Sequence, residues 1–275
     1  MEQKLSKKTR TESDLIGSRE VPESALYGVQ TLRGIENFRI SKFHLNEYPL
    51  FIQALAITKM GAAVANRELD LLTEEQTDAI LKACKEILEG KHHDQFPVDM
   101  IQGGAGTTTN MNANEVIANR ALELMGHARG EYQYCSPNDH VNRSQSTNDA
   151  YPTAIHIGLY YTHLKLVKHF ATLIEAFRKK GAEFAHIIKM GRTQLEDAVP
   201  MTLGQTFNGF ASILEHELKN LDFAAQDFLT VNMGATAIGT GITAEPEYAE
   251  KCIAALRKIT GCLLYTSPSP RDPKT

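Results

Sequence analysis

The sequence predicts a mainly α-helical protein whose long helices pack as a bundle. One observation is a seam in the longest apolar-striped segment, with residues spaced 7, 4, 3 and 4 apart: Leu159, Leu166, Phe170, Leu173 and Phe177. A second seam follows it along the chain: Phe207, Phe210, Leu214, Leu218 and Leu221. Strands and helices do not alternate, which disfavours a parallel α/β sheet.

Four shorter helices are predicted around these seams from composition and end signals. They are an apolar segment from Leu50 to Leu69, a helix from the capping box at Thr73–Gln76 to Gly90, a segment from Asn112 to Leu124 closed by Gly126, and a helix that begins at Pro246 and ends near Gly261. Strand signals are few. Residues 17–34 are expected to hold a short hairpin or an extended segment.

The composition excludes several classes of function. The 275 residues are 42% hydrophobic with a net charge of −4 and no long basic run, which disfavours nucleic-acid binding. No apolar stretch approaches the roughly 20 residues that span a membrane, and the polar N-terminus does not look like a signal peptide. A cytoplasmic location is therefore expected. The four cysteines have no metal-binding spacing, so no metal or cofactor is expected.

Three domain segments are expected along the chain. Residues 1–145 form an N-terminal mainly helical domain, and residues 146–262 form the first part of a central helical bundle. Residues 263–275 are expected to be an aberrant or disordered tail, because three prolines stand among the last eight residues and the change in character is abrupt. A natural tail and an appended segment both remain open, and the appended segment is favoured.

Three polar stretches lie at helix junctions. They are residues 103–123 (GGAGTTTNMNANEVIANRALE), 136–154 (SPNDHVNRSQSTNDAYPTA) and 189–207 (KMGRTQLEDAVPMTLGQTF). Each can be read as a capped turn, because Ser, Thr, Asn and Asp satisfy the free N–H groups of a helix start. One cap uses one such residue, however, and Ser146 to Asp149 supply four. The surplus indicates a site for a small anion, at which neutral donors and helix N-termini would hold a carboxylate.

The same stretches carry a family resemblance. DLIGSREVPESALYGVQTLRGIENF, GGAGTTTNMNANEVIANRALELMG, PNDHVNRSQSTNDAYPTA and GRTQLEDAVPMTLGQTF occur in the order typical of the aspartase/fumarase superfamily. The chain resembles this superfamily from about Asp14 to Gly261, and resembles its ammonia-lyases more than its hydratases. The discriminating positions are His140, where hydratases have Asp, Gln194, where they have His, and Leu26–Gly28, which lacks their Trp.

The resemblance implies the elimination of ammonia from L-aspartate to give fumarate, through a doubly charged aci-carboxylate. Substrate-binding roles carry over to Thr107, Ser146 and Thr147 around the β-carboxylate, to Asn148 and Gln194 near the leaving amine, and to Thr193 beside them. Asp149 is expected to cap or support the site. Arg192 and Asp197 are expected to form an ion pair that shapes the turn.

The family's general base is a serine on a loop that reads approximately G-S-S-I-M-P-G-K-V-N-P, and residues 1–275 contain no match to it. This serine is expected beyond the C-terminus, so the chain is expected to be inactive alone and to form a homotetramer when complete. Two alternatives stay open. One is a fumarate hydratase-type lyase. The other is a non-catalytic helical protein that binds dicarboxylates or oligomerises.

Overall fold

The structure is a computed structural model that describes residues 8–262 and 264–266. Its α-helices are α1 (Val29–Asn37), α2 (Pro49–Glu68), α3 (Glu74–Leu88), α4 (Thr107–Leu124), α5 (Thr147–Glu183), α6 (Leu203–Ala225) and α7 (Tyr248–Thr260). Its strands are β1 (Thr9–Asp14), β2 (Gly17–Pro22), β3 (Ile188–Thr193), β4 (Glu196–Thr202), β5 (Thr230–Val231) and β6 (Tyr265–Thr266). The mainly α-helical fold class is confirmed. None of the described helices is long and apolar enough to cross a membrane.

Two predicted helix starts were wrong. Helix α4 begins at Thr107 rather than Asn112, because Gly106 adopts φ 89° and ends the preceding turn immediately before it. Helix α7 begins at Tyr248, so Pro246 precedes the helix instead of opening it. The capping box of α3 is confirmed, since Thr73 Oγ1 accepts a hydrogen bond from the Gln76 N–H at 3.1 Å.

The strands form three two-stranded sheets. The antiparallel hairpin of β1 and β2 only partly overlaps the predicted segment 17–34, because β1 precedes it. The prediction was wrong for residues 29–34, which belong to helix α1. The hairpin of β3 and β4 was not predicted at all. Its strands are mostly exposed, and β4 (EDAVPMT) does not alternate apolar with polar residues and contains Pro200, so the segment gives no clear strand signal. Strands β5 and β6 pair in parallel.

The chain divides into two compact units. The first comprises the residues up to Gly158 and those from Leu229 onward, and the second comprises Leu159–Phe228. The domain boundaries expected at 145/146 and 262/263 stay a prediction. Of the predicted tail 263–275, the structure describes residues 264–266, where Tyr265 pairs with Thr230. The remaining tail residues lie outside the described part of the chain.

The core of the first unit is built around α2. This helix is apolar on nearly every side, so it is buried rather than amphipathic. It packs against α3, α4 and α7. Gly61 lies on α2 directly against Leu256 of α7, and a Cβ at Gly61 would overlap that side chain. The glycine therefore sets the close approach of these two helices.

The second unit contains residues 159–183 of α5, the β3–β4 hairpin and α6. Aromatic rings join the two helices: the Phe177 and Phe207 centroids lie 5.9 Å apart, and those of Phe184 and Phe207 lie 5.5 Å apart. The apolar seams themselves are largely uncovered. Leu173 is 44% exposed and Phe210 is 47% exposed.

Candidate active site

A glycine-rich turn leads into α4. Gly104, Ala105 and Gly106 have φ values of 77°, 51° and 89°, so three consecutive residues lie in the left-handed region. Gly106 packs against the ring of Tyr151, and a Cβ at this position would overlap that ring. Thr107, the first residue of α4, is exposed and donates its hydroxyl proton to the Gly104 carbonyl at 2.6 Å. The turn therefore brings the positive end of α4 to the protein surface.

The start of α5 is capped by Ser146 and Asp149. The Ser146 N–H donates to Asp149 Oδ1 at 2.9 Å, and Ser146 Oγ accepts from the Asn148 N–H at 3.2 Å. Asp149 is completely buried, and its Oδ2 accepts from the Thr236 N–H at 2.9 Å. The capping role expected for Asp149 is thus present. Its second oxygen also ties α5 to a segment further along the chain.

Thr147 and Asn148 each have one polar atom that is held and one that is available. Thr147 Oγ1 accepts from Asn110 Nδ2 at 3.2 Å, and its proton has no acceptor among the described residues. Asn148 Nδ2 donates to the Ala237 carbonyl at 2.8 Å, and Asn148 Oδ1 has no partner within residues 8–262 and 264–266. A hydroxyl donor and an amide acceptor are therefore presented side by side.

The starts of α4 and α5 line one open cavity of about 560 Å³ in the first unit. Gly106 and Asn148 both lie on its wall. Thr107 directly follows Gly106 in the chain, and Thr147 directly precedes Asn148. Two helix N-termini carry partial positive charge, which favours a carboxylate at this position. Of the six predicted substrate-binding residues, Asn148 lies on the cavity wall, Ser146 and Thr147 precede it in the chain, and the Asn110–Thr147 hydrogen bond joins the start of α5 to α4.

Thr193 and Gln194 belong to the second unit. Thr193 is the last residue of β3 and pairs with Glu196, so Gln194 and Leu195 form the two-residue tip of the hairpin. Both tip residues have positive φ, 50° and 69°, in a turn that usually selects Asn and Gly. The Arg192–Asp197 ion pair expected at this turn is present at 3.1 Å. The hairpin thus holds Gln194 at an exposed, conformationally strained tip.

A buried lysine lies beneath this cavity and was not predicted. Lys59 of α2 is 1% exposed, and its Nζ donates to Asn110 Oδ1, Asn142 Oδ1 and Gln145 Oε1 at 2.7, 3.0 and 2.8 Å. Burial lowers the pKa of Lys59 to about 7, and the nearby Asp149 carboxylate opposes that shift. Burial likewise raises the pKa of Asp149. Lys59 and Asp149 therefore place opposite charges behind the start of α5.

No metal-binding cluster is evident in the part of the chain that the structure describes, where no three His, Cys, Asp or Glu side chains come together. The histidine pair at 92 and 93 lies in a turn: His92 adopts φ 63° and bonds Glu86, and His93 bonds the Ile87 carbonyl. The expectation that no cofactor is used stays a prediction.

A family model described as lyase matches residues 17–271. The chain belongs to the lyase family. Its match with a Pseudomonas fluorescens protein named aspartate ammonia-lyase is 56% identical over 253 residues, 92% of this chain and 53% of that protein. An Escherichia coli K12 protein of the same name is 53% identical, over 94% of this chain and 54% of that protein. The lyase chain thus spans about half the length of the curated relatives it matches.

Solved structures give the same assignment of this lyase to the aspartase/fumarase superfamily. A Brucella melitensis protein, titled fumarate lyase:delta crystallin and bound to cobalt, superposes with a TM-score of 0.91 at 50% identity. The match covers 95% of this chain and 57% of that one. A class II fumarase from Schistosoma mansoni superposes with a TM-score of 0.84 at 35% identity, covering 92% of this chain and 53% of that one.

Another open cavity, of about 700 Å³, has none of the six predicted residues on its wall. Its wall includes Arg33, paired with Asp14, and the turn that starts at Ser136. The cavity of about 560 Å³ is the candidate active site, because Asn148, whose Oδ1 has no partner among the described residues, lies on its wall. Lys59 had one detectable sequence signal, since it is a lone lysine in an apolar helix. A buried lysine requires hydrogen-bond partners, so this signal could have led to the polar network.

Proposed function

We propose that this lyase chain forms part of an enzyme that eliminates ammonia from L-aspartate to give fumarate. The observation that carries the proposal is the pair of available atoms at the start of α5, the Thr147 hydroxyl proton and Asn148 Oδ1. They stand in a lyase whose curated relatives are named aspartate ammonia-lyase. A donor and a neutral acceptor are what a substrate with both a carboxylate and an ammonium group requires.

The difficult step is removal of a proton from the carbon that bears the β-carboxylate. That hydrogen is weakly acidic, and the charge it leaves moves onto the carboxylate to give a doubly negative aci-carboxylate. Donors that are already aimed at this group stabilise it more than they stabilise the substrate, which lowers the barrier. The serine that removes the proton is expected outside residues 1–275, as the family resemblance implies.

Three hydroxyls surround the β-carboxylate in this proposal. The protons of Ser146 and Thr147 have no acceptor in the described part of the chain, so both are available. Thr107 differs, because its proton is given to the Gly104 carbonyl. Thr107 would exchange that bond for one to the substrate. The partial charges of the α4 and α5 N-termini act in the same direction.

Asn148 receives the leaving amine. Because its Nδ2 is held by the Ala237 carbonyl, its Oδ1 is the atom left for the substrate. An amide oxygen accepts hydrogen bonds from an ammonium group and releases ammonia more readily than a carboxylate, which would form an ion pair. The substrate-binding roles that the family resemblance implies for Gln194 and Thr193 stay predictions.

The test uses a chimera in which this chain replaces the matching segment of the Pseudomonas fluorescens relative, so that the protein has the relatives' full length. The parent chimera should convert L-aspartate to fumarate, followed by ultraviolet absorbance. Thr147→Ala and Asn148→Ala should each lower kcat/KM by about 10²-fold, the effect of removing one transition-state partner. Thr172→Ala is the matched control, since its hydroxyl bonds only the Lys168 carbonyl of its own helix. Unchanged kinetics in both site variants would contradict the assignment.

The same assay separates the alternatives. The 35% identical fumarase structure makes a hydratase the second candidate, and turnover of malate instead of aspartate would select it. Binding of succinate without turnover of either substrate would select a non-catalytic dicarboxylate-binding protein. Turnover of aspartate excludes that last function.

A homotetramer and a cytoplasmic location complete the proposal. The exposed leucines of the α5 seam support self-association: Leu159, Leu166 and Leu173 are 43%, 39% and 44% exposed. The chimera should sediment as a tetramer, and Leu166→Glu combined with Leu173→Glu should shift it to smaller species. An unchanged sedimentation coefficient would count against this seam as the interface. Cell fractionation tests the location.

A further inference from the structure

The buried lysine beneath the candidate active site forms a closed set of hydrogen bonds. A lysine ammonium has three hydrogens and no acceptor. The Nζ of Lys59 lies within 3.0 Å of three side-chain amide oxygens, which belong to Asn110, Asn142 and Gln145. All three hydrogens are therefore used. The arrangement suits the protonated lysine, because a neutral amine has only two hydrogens to give.

This ammonium fixes which way the Asn110 amide faces. The oxygen and nitrogen of an amide are normally interchangeable by a half-turn of the group. Here the oxygen must face Lys59, because the ammonium cannot accept a hydrogen bond. The Asn110 nitrogen is thereby turned to the opposite side, where it lies 3.2 Å from Thr147 Oγ1 and 3.1 Å from Asn142 Oδ1. Asn142 Oδ1 also accepts a hydrogen bond from Asn114 Nδ2 at 3.2 Å. An acceptor oxygen of Asn142 therefore faces the Asn110 nitrogen.

The orientation of Asn110 in turn decides what the Thr147 hydroxyl can do. When the Asn110 nitrogen faces Thr147, it donates a hydrogen bond to Oγ1, so the threonine's own proton must point elsewhere. An Asn110 oxygen in that place would accept the threonine's proton and remove it from the cavity. We infer that Lys59 is a positioning residue that acts through Asn110 to direct the Thr147 hydroxyl proton toward the bound substrate. This inference rests on the proposed function of the same site.

The charges around Lys59 are consistent with this role. Burial lowers the pKa of Lys59 to about 7, and Asp149 of α5, the acidic group that faces it, opposes this shift and favours the protonated lysine. Cys84 of α3 and Cys252 of α7 lie on the other sides. Burial raises the pKa of both thiols, so they remain neutral at pH 7. Lys59 is thus held by neutral oxygens and one buried carboxylate.

The experiment is a double-mutant cycle in the chimera defined above. Thr147→Val removes the directed hydroxyl and keeps its shape, and Lys59→Met removes the ammonium with little change of volume. Each substitution should lower kcat by about 10²-fold and should change KM much less. The double variant should be no slower than Thr147→Val alone, because both substitutions remove the same donor. Losses that multiply would overturn the inference, since they would show that Lys59 acts independently of Thr147.

A second variant covers the case in which Lys59→Met does not fold. Asn110→Asp keeps an oxygen for Lys59 but replaces the nitrogen that faces Thr147 with another oxygen. The thermal melt should stay cooperative, with a lower midpoint because the nitrogen 3.1 Å from Asn142 Oδ1 is lost, and kcat should fall as in Thr147→Val. The matched control is Thr58→Val, because Thr58 is buried beside Lys59 on α2 and bonds only the Ala54 carbonyl. Its kcat should change less than twofold.

The outcomes separate this inference from the proposed function. An active parent whose Asn110→Asp variant keeps the parent's kcat overturns the inference alone. A parent without activity on aspartate or malate overturns the proposed function, and the inference fails with it. An active parent with the non-multiplying losses described above supports both.

Discussion

The two compact units are both helical, but they differ in how far their apolar side chains are covered. In the first unit α2 is buried on nearly every side, and residues such as Ile52 and Leu256 have no exposed surface. In the second unit Leu164 and Ile213, which stand in helices with apolar seams, are 43% and 61% exposed. An apolar seam therefore predicts that a helix face has a partner. It does not predict whether that partner lies in the same unit.

The largest expected effect compares one leucine from each unit. Leu256→Ala removes a side chain with no exposed surface and should lower the free energy of unfolding by about 3 kcal/mol. Leu173→Ala, at a position that is 44% exposed, should lower it by less than about 1 kcal/mol in the isolated chain. Urea unfolding followed by circular dichroism measures both. Equal losses would show that the α5 seam is covered within the isolated chain.

A second comparison uses one acidic residue from each unit. Glu86 accepts two hydrogen bonds from Arg120, at 2.6 and 2.8 Å, and these bonds lower its pKa to about 2. Glu86→Gln should lower the free energy of unfolding at pH 7 by about 1–2 kcal/mol. Glu215 bonds Arg178 in a similar way, but its side chain is 43% exposed against 21% for Glu86, so Glu215→Gln should have a smaller effect.

The pH dependence of Glu86 follows from its depressed pKa. Its contribution to stability is fully present above the ordinary value of 4.5 and is lost as the pH falls from there toward 2. The unfolding free energy of the parent should therefore decline over this interval more steeply than that of Glu86→Gln. Parallel curves for the two proteins would rule out a stabilising role for this carboxylate.

The smallest expected effect is at the tip of the β3–β4 hairpin. Arg192 and Asp197 form an ion pair at 3.1 Å, but their side chains are 70% and 66% exposed. Arg192→Gln should change the unfolding free energy by less than about 0.5 kcal/mol, because solvent and salt screen such a pair. A larger loss would indicate that the pair stabilises the strained turn at Gln194 and Leu195. Repeating the measurement in high salt would identify its electrostatic part.

Most of the helices could be predicted from the sequence because their signals are local, but α1 was not predicted. A capping box at Thr73 and the seam through Phe207 each depend on residues within a few turns of one another. The β3–β4 hairpin could not, because its turn uses Gln194 and Leu195 rather than the residues that mark such turns. Conformational strain at one position leaves no periodic pattern in the sequence.

The residue types of the candidate site could be predicted from the sequence. Which residues cap the helix and which keep an available polar atom could not. The four polar residues at the start of α5 were expected to exceed the needs of a cap. In the structure Ser146 and Asp149 form the cap, and Thr147 and Asn148 keep an available atom each. Lys59 lay outside the prediction because its partners are brought to it by folding. Asn110 and Gln145 are 51 and 86 residues away along the chain.

The bond between Asp149 and Thr236 has a consequence for the order in which the protein is made. The start of α5 is completed by two residues that come much later in the chain: Thr236, 87 positions after Asp149, and Ala237, 89 positions after Asn148. At roughly 5–20 residues per second, a ribosome needs about 4–17 s to supply them. During that interval Asp149 is a carboxylate without one of its two backbone partners, and Asn148 is untethered. A nascent chain released within that interval would contain every predicted residue of the α5 start and still lack its geometry.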